Sequence, residues 1–347
     1  MKKKRLLALA LSLSLLAACG SKQADPTPAP TAEPTPAATA TPAPVGEDVS
    51  VAVLKGPTGL GAAKLMAENE AGEAVNHYTF SVLAEPTEAV AGLSRAEEPF
   101  DIAAVPTNLA STLYHKTDGG VQLLALNTLG VLYLLEKGDT VHSMADLAGK
   151  TVYATGQGAN PEYVLNYLLR QNGLEPGKDV TVEWKASDEL TTLMASGEID
   201  LCMLPVPAAT SVLMQNADVR KAVSLTDEWE KSGAEGVLTM GCVVARTAFV
   251  QEHPEAVKAF LEEYGASIAY MSDKANLDDA SALAETYGIV PKAAVAKKAL
   301  PDANLCFITG DDMIAGIQGY YEVLFAADPA SIGGSIPDGA FYFGADA

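Results

Sequence analysis

Basic residues are scarce in this sequence. Its 347 residues include 23 Lys and Arg against 44 Asp and Glu, which gives a formal net charge of −21. Because an acidic surface repels phosphate groups, this balance argues against a nucleic-acid partner and against electrostatic binding to an anionic membrane. The share of hydrophobic residues, 48%, is that of a globular protein, and the chain is long enough for two compact units.

Nucleotide-binding motifs are also missing, although one glycine-rich turn resembles them. The segment KGPTGLGAAKL begins at Lys55, directly after an apolar run over residues 49–54. A P-loop requires Lys followed by Ser or Thr after its last glycine, whereas Ala62 and Ala63 follow Gly61. A dinucleotide fingerprint requires a third glycine at the position of Lys64. We therefore expect no nucleotide and no other cofactor.

Signatures of catalysis and of metal binding are equally sparse. The sequence has no GxSxG elbow, no HExxH and no CxxC pair. Its four His residues stand far apart in sequence, so we expect them on the surface rather than as bases or metal ligands. Acidic pairs such as Asp311 and Asp312 are expected to be solvated, with a weak surface cation site as the alternative. The sequence therefore predicts no catalytic residue and no resident metal.

The N-terminus carries an export signal. Three Lys and one Arg precede an apolar run over residues 6–16, and the sequence LAAC ends at Cys19. A basic segment, a short apolar segment and small residues are typical of a signal peptide, which we place at residues 1–18. The LAAC segment resembles a bacterial lipobox, which implies that Cys19 is lipidated and becomes the mature N-terminus. An ordinary signal peptide with a chance Cys is the alternative.

A tether follows the signal peptide. Residues 19–48 consist mainly of Pro, Thr and Ala and have almost no large apolar side chain. Such a segment cannot bury a core, so it is expected to be extended and semi-rigid. At roughly 3 Å per residue it would hold the folded body several tens of Å from a membrane.

The three remaining cysteines lie in apolar runs, DLCMLP, MGCVVA and NLCFIT. We expect Cys202, Cys242 and Cys306 to be buried, unreactive thiols. One disulfide with a spare thiol is the alternative.

From residue 49 onward, short apolar runs alternate with amphipathic stretches, which predicts an α/β protein with largely parallel sheets. Helices are predicted after an N-cap at Asn160, between Ser187 and Gly197, and from Pro254. Strands are predicted over residues 49–54, 79–83, 100–105, 121–126, 131–136, 151–154, 180–184, 199–204, 222–225 and 240–246.

An internal echo indicates two related lobes. The sequences DIAAVP, from Asp101, and DLCMLP, from Asp200, share an Asp, four apolar residues and a Pro. Each lies downstream of a run that ends in a glycine-rich turn, LKGPTGLGAAKL in one half and YATGQGANPEYVL in the other. Two such lobes that face each other would form a cleft.

Ligands of α/β sheets bind outside the carboxyl ends of the strands, where free N–H groups of helix N-termini favour polar acceptors. The same residues could instead be simple helix caps. The candidate ligand-binding residues at these ends are Thr58, Gly59, Leu60, Gly61, Glu85, Pro106, Thr107, Asn108, Asn127 and Thr128 in the first half, and Thr155, Gly156, Gln157, Asn160, Tyr163, Pro205, Val206 and Pro207 in the second.

Together with the lipobox, the tether and the two lobes, the segments GPTGLGAAKL, DIAAVPTNLA, SMADLAGKTVYATGQG and HPEAVKAFLEEY resemble one family. It is that of the solute-binding lipoproteins of bacterial ABC importers, and specifically the type II group that includes nitrate, sulfonate, taurine and thiamine-pyrimidine receptors. The resemblance extends from residue 49 to about residue 343. The sequence lacks the Cys-rich catalytic segment of the pyrimidine-synthase branch, which argues against catalysis of that kind.

This resemblance implies a two-lobe type II periplasmic-binding-protein-like fold. Lobe I would comprise residues 49–128 and 243–347, and lobe II residues 129–242. Two crossings, near residues 127–131 and 239–243, would join the lobes, with Gly130 and Gly241 as hinge residues.

The family's function would be to capture a small polar organic solute or oxyanion and deliver it to a membrane permease and its ATPase. The resemblance implies a monomer that is anchored by Cys19 to the outer face of the cytoplasmic membrane. A lipid-anchored sensor that serves a signalling partner is one alternative, and an exported enzyme is another.

Overall fold

The computed structural model describes residues 46–344. The predicted signal peptide, the lipidation site at Cys19 and most of the tether lie outside the described residues. The strands are β1 (Asp48–Leu54), β2 (His77–Leu83), β3 (Ile102–Pro106), β4 (Val121–Leu129), β5 (Leu132–Lys137), β6 (Thr151–Ala154), β7 (Thr181–Trp184), β8 (Leu201–Pro205), β9 (Val219–Ser224), β10 (Thr239–Arg246) and β11 (Leu305–Ile308).

Helices alternate with these strands over most of the chain. Among the described residues, no helix is both long and apolar enough to cross a membrane. The helices are α1 (Pro57–Leu60), α2 (Ala63–Ala71), α3 (Pro86–Leu93), α4 (Thr107–Lys116), α5 (Asn160–Gln171), α6 (Ser187–Ser196), α7 (Ala208–Gln215), α8 (Leu225–Lys231), α9 (Thr247–Glu252), α10 (Pro254–Ser272), α11 (Leu277–Thr286), α12 (Ala293–Ala299) and α13 (Gly310–Ala327), with 3₁₀ turns at Met144–Leu147, Lys274–Asn276, Leu300–Asp302, Pro329–Ile332 and Gly339–Phe341.

The strands form two sheets that repeat one strand order. The first sheet runs β2-β1-β3-β10-β4-β11, and the second runs β7-β6-β8-β5-β9. The two echo sequences supply β3 and β8, which occupy equivalent places. Each lies parallel to one neighbour, β1 or β6, and antiparallel to the other, β10 or β5. The two repeated sequence patterns therefore form equivalent strands in the two sheets, and the chain has the predicted α/β fold.

The expectation of largely parallel sheets is wrong. Four pairings between named strands are parallel and five are antiparallel. The parallel pairs join strands that follow one another within one half, whereas β5 and β10 enter after the chain has crossed between sheets. Every antiparallel pair except β4–β11 includes β5 or β10. Since these strands are buried on both faces, their apolar runs look like parallel strands in the sequence.

The sheet boundaries differ slightly from the predicted lobe boundaries. β4 continues to Leu129, and β10 begins at Thr239, so residues 239–242 belong to a strand of the first sheet. The chain leaves the second sheet after β9 and returns through α8 and residues 232–238. The described residues form one compact unit, and the division into lobes stays a prediction.

Two of the predicted helix starts need adjustment by one residue. Asn160 and Ser187 are the first residues of α5 and α6, and the N-cap positions belong to Ala159 and Ala186. Neither helix has a side-chain cap, so Asn160 does not use its amide to cap its own helix. That amide is free to bond elsewhere, and it bonds across the molecule.

The expectation of buried thiols holds for two of the three described cysteines. All three are free, and Cys202 and Cys242 are buried while Cys306 is half-buried. Burial raises the pKa of the Cys202 and Cys306 thiols to about 12. Burial also raises the pKa of Cys242. These thiols therefore stay protonated at neutral pH.

Candidate ligand site between the two sheets

The side chain of Asn160 connects the two sheets. It lies at the start of α5, on the side of the second sheet, and is fully buried. Its Oδ1 accepts hydrogen bonds from the backbone N–H of Asn108, at 3.0 Å, and from the hydroxyl of Tyr320, at 2.6 Å. Its Nδ2 donates to the carbonyl of Met240 at 2.7 Å. Three partners that belong to the first sheet or its helices are thus held by one amide.

The local sequence explains why Asn160 can reach this position. The preceding turn contains Gly156 at φ 86°, where a Cβ atom would lie 2.5 Å from the ring of Pro161. Only glycine tolerates both the positive φ and this close approach. On the opposite side, Asn108 is the second residue of α4, whose N-cap is Pro106 and has no side-chain cap. The N–H of Asn108 therefore needs an external acceptor, and Asn160 provides it.

A group of buried hydroxyls surrounds this contact. The hydroxyls of Thr107 and Thr239 lie 3.1 Å apart, and the hydroxyl of Tyr321 donates to the carbonyl of Thr107 at 2.8 Å. The Nδ2 of Asn108 donates to the carbonyl of Ser331 at 3.2 Å. We call Thr107, Asn108, Asn160, Thr239 and Tyr320 the Asn160 cluster.

A second buried cluster lies on the other side of β10. The Nδ2 of Asn127 donates to the carbonyl of Thr58 at 3.1 Å and to the hydroxyl of Tyr264 at 3.0 Å. A Cβ atom on Gly241 would lie 2.3 Å from Cγ2 of Thr58 and 2.6 Å from Oδ1 of Asn127. Gly241 is therefore required by close packing. We call Thr58, Asn127, Gly241 and Tyr264 the Asn127 cluster.

The side chains of both clusters are uncharged. Burial raises the pKa of Tyr320 well above its usual value, and burial also raises the pKa of Tyr264. Both phenols therefore stay protonated and serve as neutral hydrogen-bonding groups. The arrangement can bind a polar molecule through neutral dipoles, and its side chains offer neither a base nor a nucleophile in an activated state.

Two polar atoms in these clusters have no hydrogen-bond partner within the described part of the chain. They are Oδ1 of Asn108 and Oδ1 of Asn127, and both residues are 1% exposed. Leaving a buried acceptor unpaired costs about 1 to 3 kcal/mol. Both oxygens are therefore positions where an additional donor would be bound favourably.

The structure brings together only part of the predicted site. Thr58, Thr107, Asn108, Asn127 and Asn160 belong to the two clusters, and ligand contact by them stays a prediction. Gly59, Leu60, Pro106, Thr128, Thr155, Val206 and Pro207 are buried beside them in the same loops and strand ends, Gly61, Gly156, Tyr163 and Pro205 range from buried to half-buried, and Glu85 and Gln157 are exposed.

The two predicted hinge glycines occupy different settings. Gly130 connects β4 to β5, and its carbonyl accepts a hydrogen bond from the side chain of Asn304. Gly241 lies within β10, paired with both β3 and β4, rather than in a connection. A hinge role for either residue stays a prediction.

The sequence interpretation missed several members of the clusters. Thr239 begins β10, whereas Tyr264 and Tyr320 lie on the buried faces of α10 and α13. The hydrogen bonding of the two tyrosines could have been predicted, because a Tyr on the apolar face of a helix needs a partner for its hydroxyl. Nothing in the sequence indicated which partner.

One ion pair also connects the two sheets. Nζ of Lys221, on β9, lies 2.6 Å from a carboxylate oxygen of Asp302, which precedes β11, and 4.2 Å from the centre of the Tyr133 ring. Both charged side chains are about a third exposed or more. Solvent screening therefore limits the contribution of this pair to about 1 kcal/mol or less.

Two surface cavities in the described part of the chain are lined by residues outside both clusters. One, of about 200 Å³, is lined by residues that include Met271, Leu300 and Asn304. Another, of about 440 Å³, lies between α5 and α13 and includes Tyr167, Arg170 and Gly319.

The two sheets share one strand order, two connections join them, and the N-termini of α4 and α5, one from each half, are in contact. Residues 121–276 match the family model described as "NMT1/THI5 like". This segment, from β4 to the turn that follows α10, is therefore similar to that family. No curated protein matches the chain in sequence.

Solved structures support the same fold. An ABC transporter protein from Parabacteroides distasonis has a TM-score of 0.70 at 20% identity, over 85% of this chain and 98% of that chain. The periplasmic aliphatic sulphonate binding protein SsuA from Escherichia coli has a TM-score of 0.62 at 16% identity, over 84% and 92%. The ligand-binding component of an ABC-type import system from Staphylococcus aureus has a TM-score of 0.62 at 13% identity, over 86% and 99%.

Proposed function

We propose that the protein is the extracytoplasmic solute-binding component of an ABC importer. It captures a small polar solute between two lobes and delivers it to a membrane permease and its ATPase. The observation that carries this proposal is the contact of Asn160 with Asn108 and Met240, because it joins a strand-end helix of one half to a strand-end helix and a central strand of the other. The binding functions of the structural neighbours support the same conclusion.

The proposed cycle is a hinge motion between two lobes. The connections at residues 130–131 and 232–238 are the places where the chain passes from one sheet to the other. The contacts of Asn160 correspond to the closed arrangement, and bending at the connections would separate Asn160 from Asn108. Ligand shifts the equilibrium toward the closed form by its higher affinity for that form.

We also propose that the protein acts outside the cytoplasm and is anchored by a lipid on Cys19. The basic segment, the apolar run and the LAAC sequence support export and lipidation. The Pro-rich tether would be long enough for the folded body to contact a permease in the same membrane.

The proposed role is binding without chemical conversion. The described thiols stay protonated, and the polar side chains of the two clusters are amides, hydroxyls and phenols. Such groups hold a ligand through hydrogen bonds, and nucleophilic catalysis would require an activated partner beside them.

A ligand screen tests this proposal. A few hundred oxyanions, sulfonates, amines and heterocycles, each added to the purified protein, should include compounds that raise its melting temperature. A ligand present at 100 times its Kd adds about 2.7 kcal/mol to the free energy of unfolding, which is a shift of roughly 5 °C for a domain of this size. A screen of this breadth without any stabilising compound contradicts the proposed function.

A further inference from the structure

The second connection between the two sheets, residues 232–238, is bonded to a different half of the protein at each end. We infer that its bending is confined to Gly233 and Ala234, and that Gly233 leaves its positive φ when the two halves separate. This inference rests on the proposed function and places the hinge of the second connection at two residues. They differ from the predicted hinge residues Gly130 and Gly241.

The C-terminal part of this connection is fixed to α13. The N–H of Val237 donates to the carbonyl of Gly316 at 3.0 Å. A Cβ atom on Gly319 would lie 2.6 Å from the carbonyl oxygen of Glu235, so the two backbones approach as closely as only glycine allows. The hydroxyl of Tyr321 on α13 donates to a carbonyl at the start of α4, which follows β3 of the first sheet. Residues 235–237 therefore move with the first half.

The N-terminal end of the connection is fixed to the other half. Ser232 follows α8, and its N–H donates to the carbonyls of Glu228, at 3.0 Å, and Trp229, at 3.1 Å. Its Oγ lies 3.3 Å from the hydroxyl oxygen of Tyr167 on α5. α5 follows β6 and α8 follows β9, and both strands belong to the second sheet. Ser232 therefore moves with the second half.

Gly233 and Ala234 lie between these two anchors. Gly233 is exposed and has φ 70°, and a Cβ atom there would have no heavy atom within 4 Å. Glycine populates positive and negative φ about equally, so its backbone can rotate at little cost. The N–H of Ala234 donates to Oγ of Ser232, at 3.3 Å, within the same turn. A relative motion of the two anchors is therefore taken up by these two residues.

A cavity beside these residues provides space for the motion. It is the cavity of about 440 Å³ between α5 and α13, and its lining includes both Gly233 and Ala234. Tyr167 borders it on the side of α5, and Val323 borders it on the side of α13. Any rotation of α5 relative to α13 changes the width of this cavity. The two halves can therefore move here without displacing a packed side chain.

Replacing Gly233 by Ala tests the inference without a ligand. Alanine disfavours positive φ, so the described arrangement becomes strained and the separated one does not. The fraction of separated molecules should rise about fivefold. Separation breaks the hydrogen bond from the N–H of Asn108 to Asn160, so the Asn108 amide should exchange its hydrogen about fivefold faster. Amide exchange followed by NMR measures this rate.

Gly173→Ala is the matched control. Gly173 follows α5 as Gly233 follows α8, has φ 74°, and a Cβ atom there would also have no heavy atom within 4 Å. Both substitutions should lower the melting temperature by the same amount, but in Gly173→Ala the Asn108 amide should exchange at the unmodified rate. Gly233→Asn should give an intermediate rate, because Asn tolerates positive φ better than Ala.

A second pair of variants tests the anchor on α13. Gly319→Ala forces a Cβ atom against the backbone of Glu235, whereas a Cβ atom on Gly316 would lie 3.4 Å from the side chain of Val237, an ordinary contact. The two substitutions make the same chemical change in one helix. Exchange of the Val237 amide should be at least tenfold faster in Gly319→Ala and unchanged in Gly316→Ala.

Two results overturn the inference. One is an Asn108 amide that exchanges at the same rate in Gly233→Ala and Gly173→Ala, and the other is a Val237 amide that exchanges alike in Gly319→Ala and Gly316→Ala. If the screen finds stabilising compounds that close the protein, either result overturns only the position of the hinge. If the screen finds no ligand, the proposed function fails, and the exchange rates still decide whether the chain bends at Gly233.

Discussion

Replacing Asn160 by Leu should lower the free energy of unfolding by about 3 kcal/mol and the melting temperature by roughly 6 °C. Leucine fills a similar volume but leaves the N–H of Asn108, the hydroxyl of Tyr320 and the carbonyl of Met240 without the partner that Asn160 provides. Each unpaired buried group costs about 1 to 3 kcal/mol, part of which relaxation recovers. Because this amide joins the two sheets, affinity for any ligand from the screen should fall by at least tenfold. Chemical denaturation and calorimetry measure the two effects.

Asn172→Leu is the control for this substitution. The Asn172 amide is exposed and donates to the carbonyl of Leu168 within its own helix. Its replacement should change the free energy of unfolding by less than about 0.5 kcal/mol. If Asn160→Leu and Asn172→Leu have the same stability and the same affinity, Asn160 does not hold the halves together as we describe.

Replacing Gly241 by Ala should destabilise the protein by about 2 kcal/mol and reduce ligand affinity. The added Cβ would lie 2.3 Å from Cγ2 of Thr58 and 2.6 Å from Oδ1 of Asn127, so both groups must move. Moving Thr58 displaces α1, and moving Asn127 breaks its hydrogen bonds to Thr58 and Tyr264. The loss therefore acts on the Asn127 cluster and on the fold together.

Gly339→Ala provides the comparison for Gly241→Ala. Gly339 is exposed, and a Cβ atom there would have no heavy atom within 4 Å. Thermal unfolding of this variant should match that of the unmodified protein. A Gly241→Ala protein that is as stable and binds as tightly as Gly339→Ala would show that β10 has more room beside Asn127 than the structure indicates.

Most of the strands could be predicted from the sequence, because hydrophobic periodicity reports burial directly. Each of the ten predicted strands corresponds to a strand of the structure, and β11 (Leu305–Ile308) was missed. β11 is short, lies at a sheet edge and is at most half-buried, so its pattern differs little from that of a loop. Strand direction was not predictable, since a strand buried on both faces has the same composition whether it runs parallel or antiparallel.

The two polar clusters of the candidate site were predictable only in outline. Strand ends can be located from apolar runs, and this placed Thr58, Asn108, Asn127 and Asn160 in the same region. Their partners could not be located, because Tyr264 and Tyr320 come from distant helices, and contacts at such separations depend on the packing of the whole chain. Asn160 shows that a local sequence pattern does not predict a tertiary contact. The pattern predicted that Asn160 caps its own helix, whereas its amide forms hydrogen bonds that join the two halves.

Small-angle X-ray scattering of the purified protein, with and without a stabilising compound from the screen, tests the central claim most directly. The account predicts that the compound reduces the radius of gyration, because it favours the closed arrangement in which Asn160 contacts Asn108 and Met240. Asn160→Leu, measured in parallel, should show a smaller reduction at saturating compound. A compound that binds tightly while the scattering curve of the unmodified protein stays unchanged would contradict capture by closure of the two lobes.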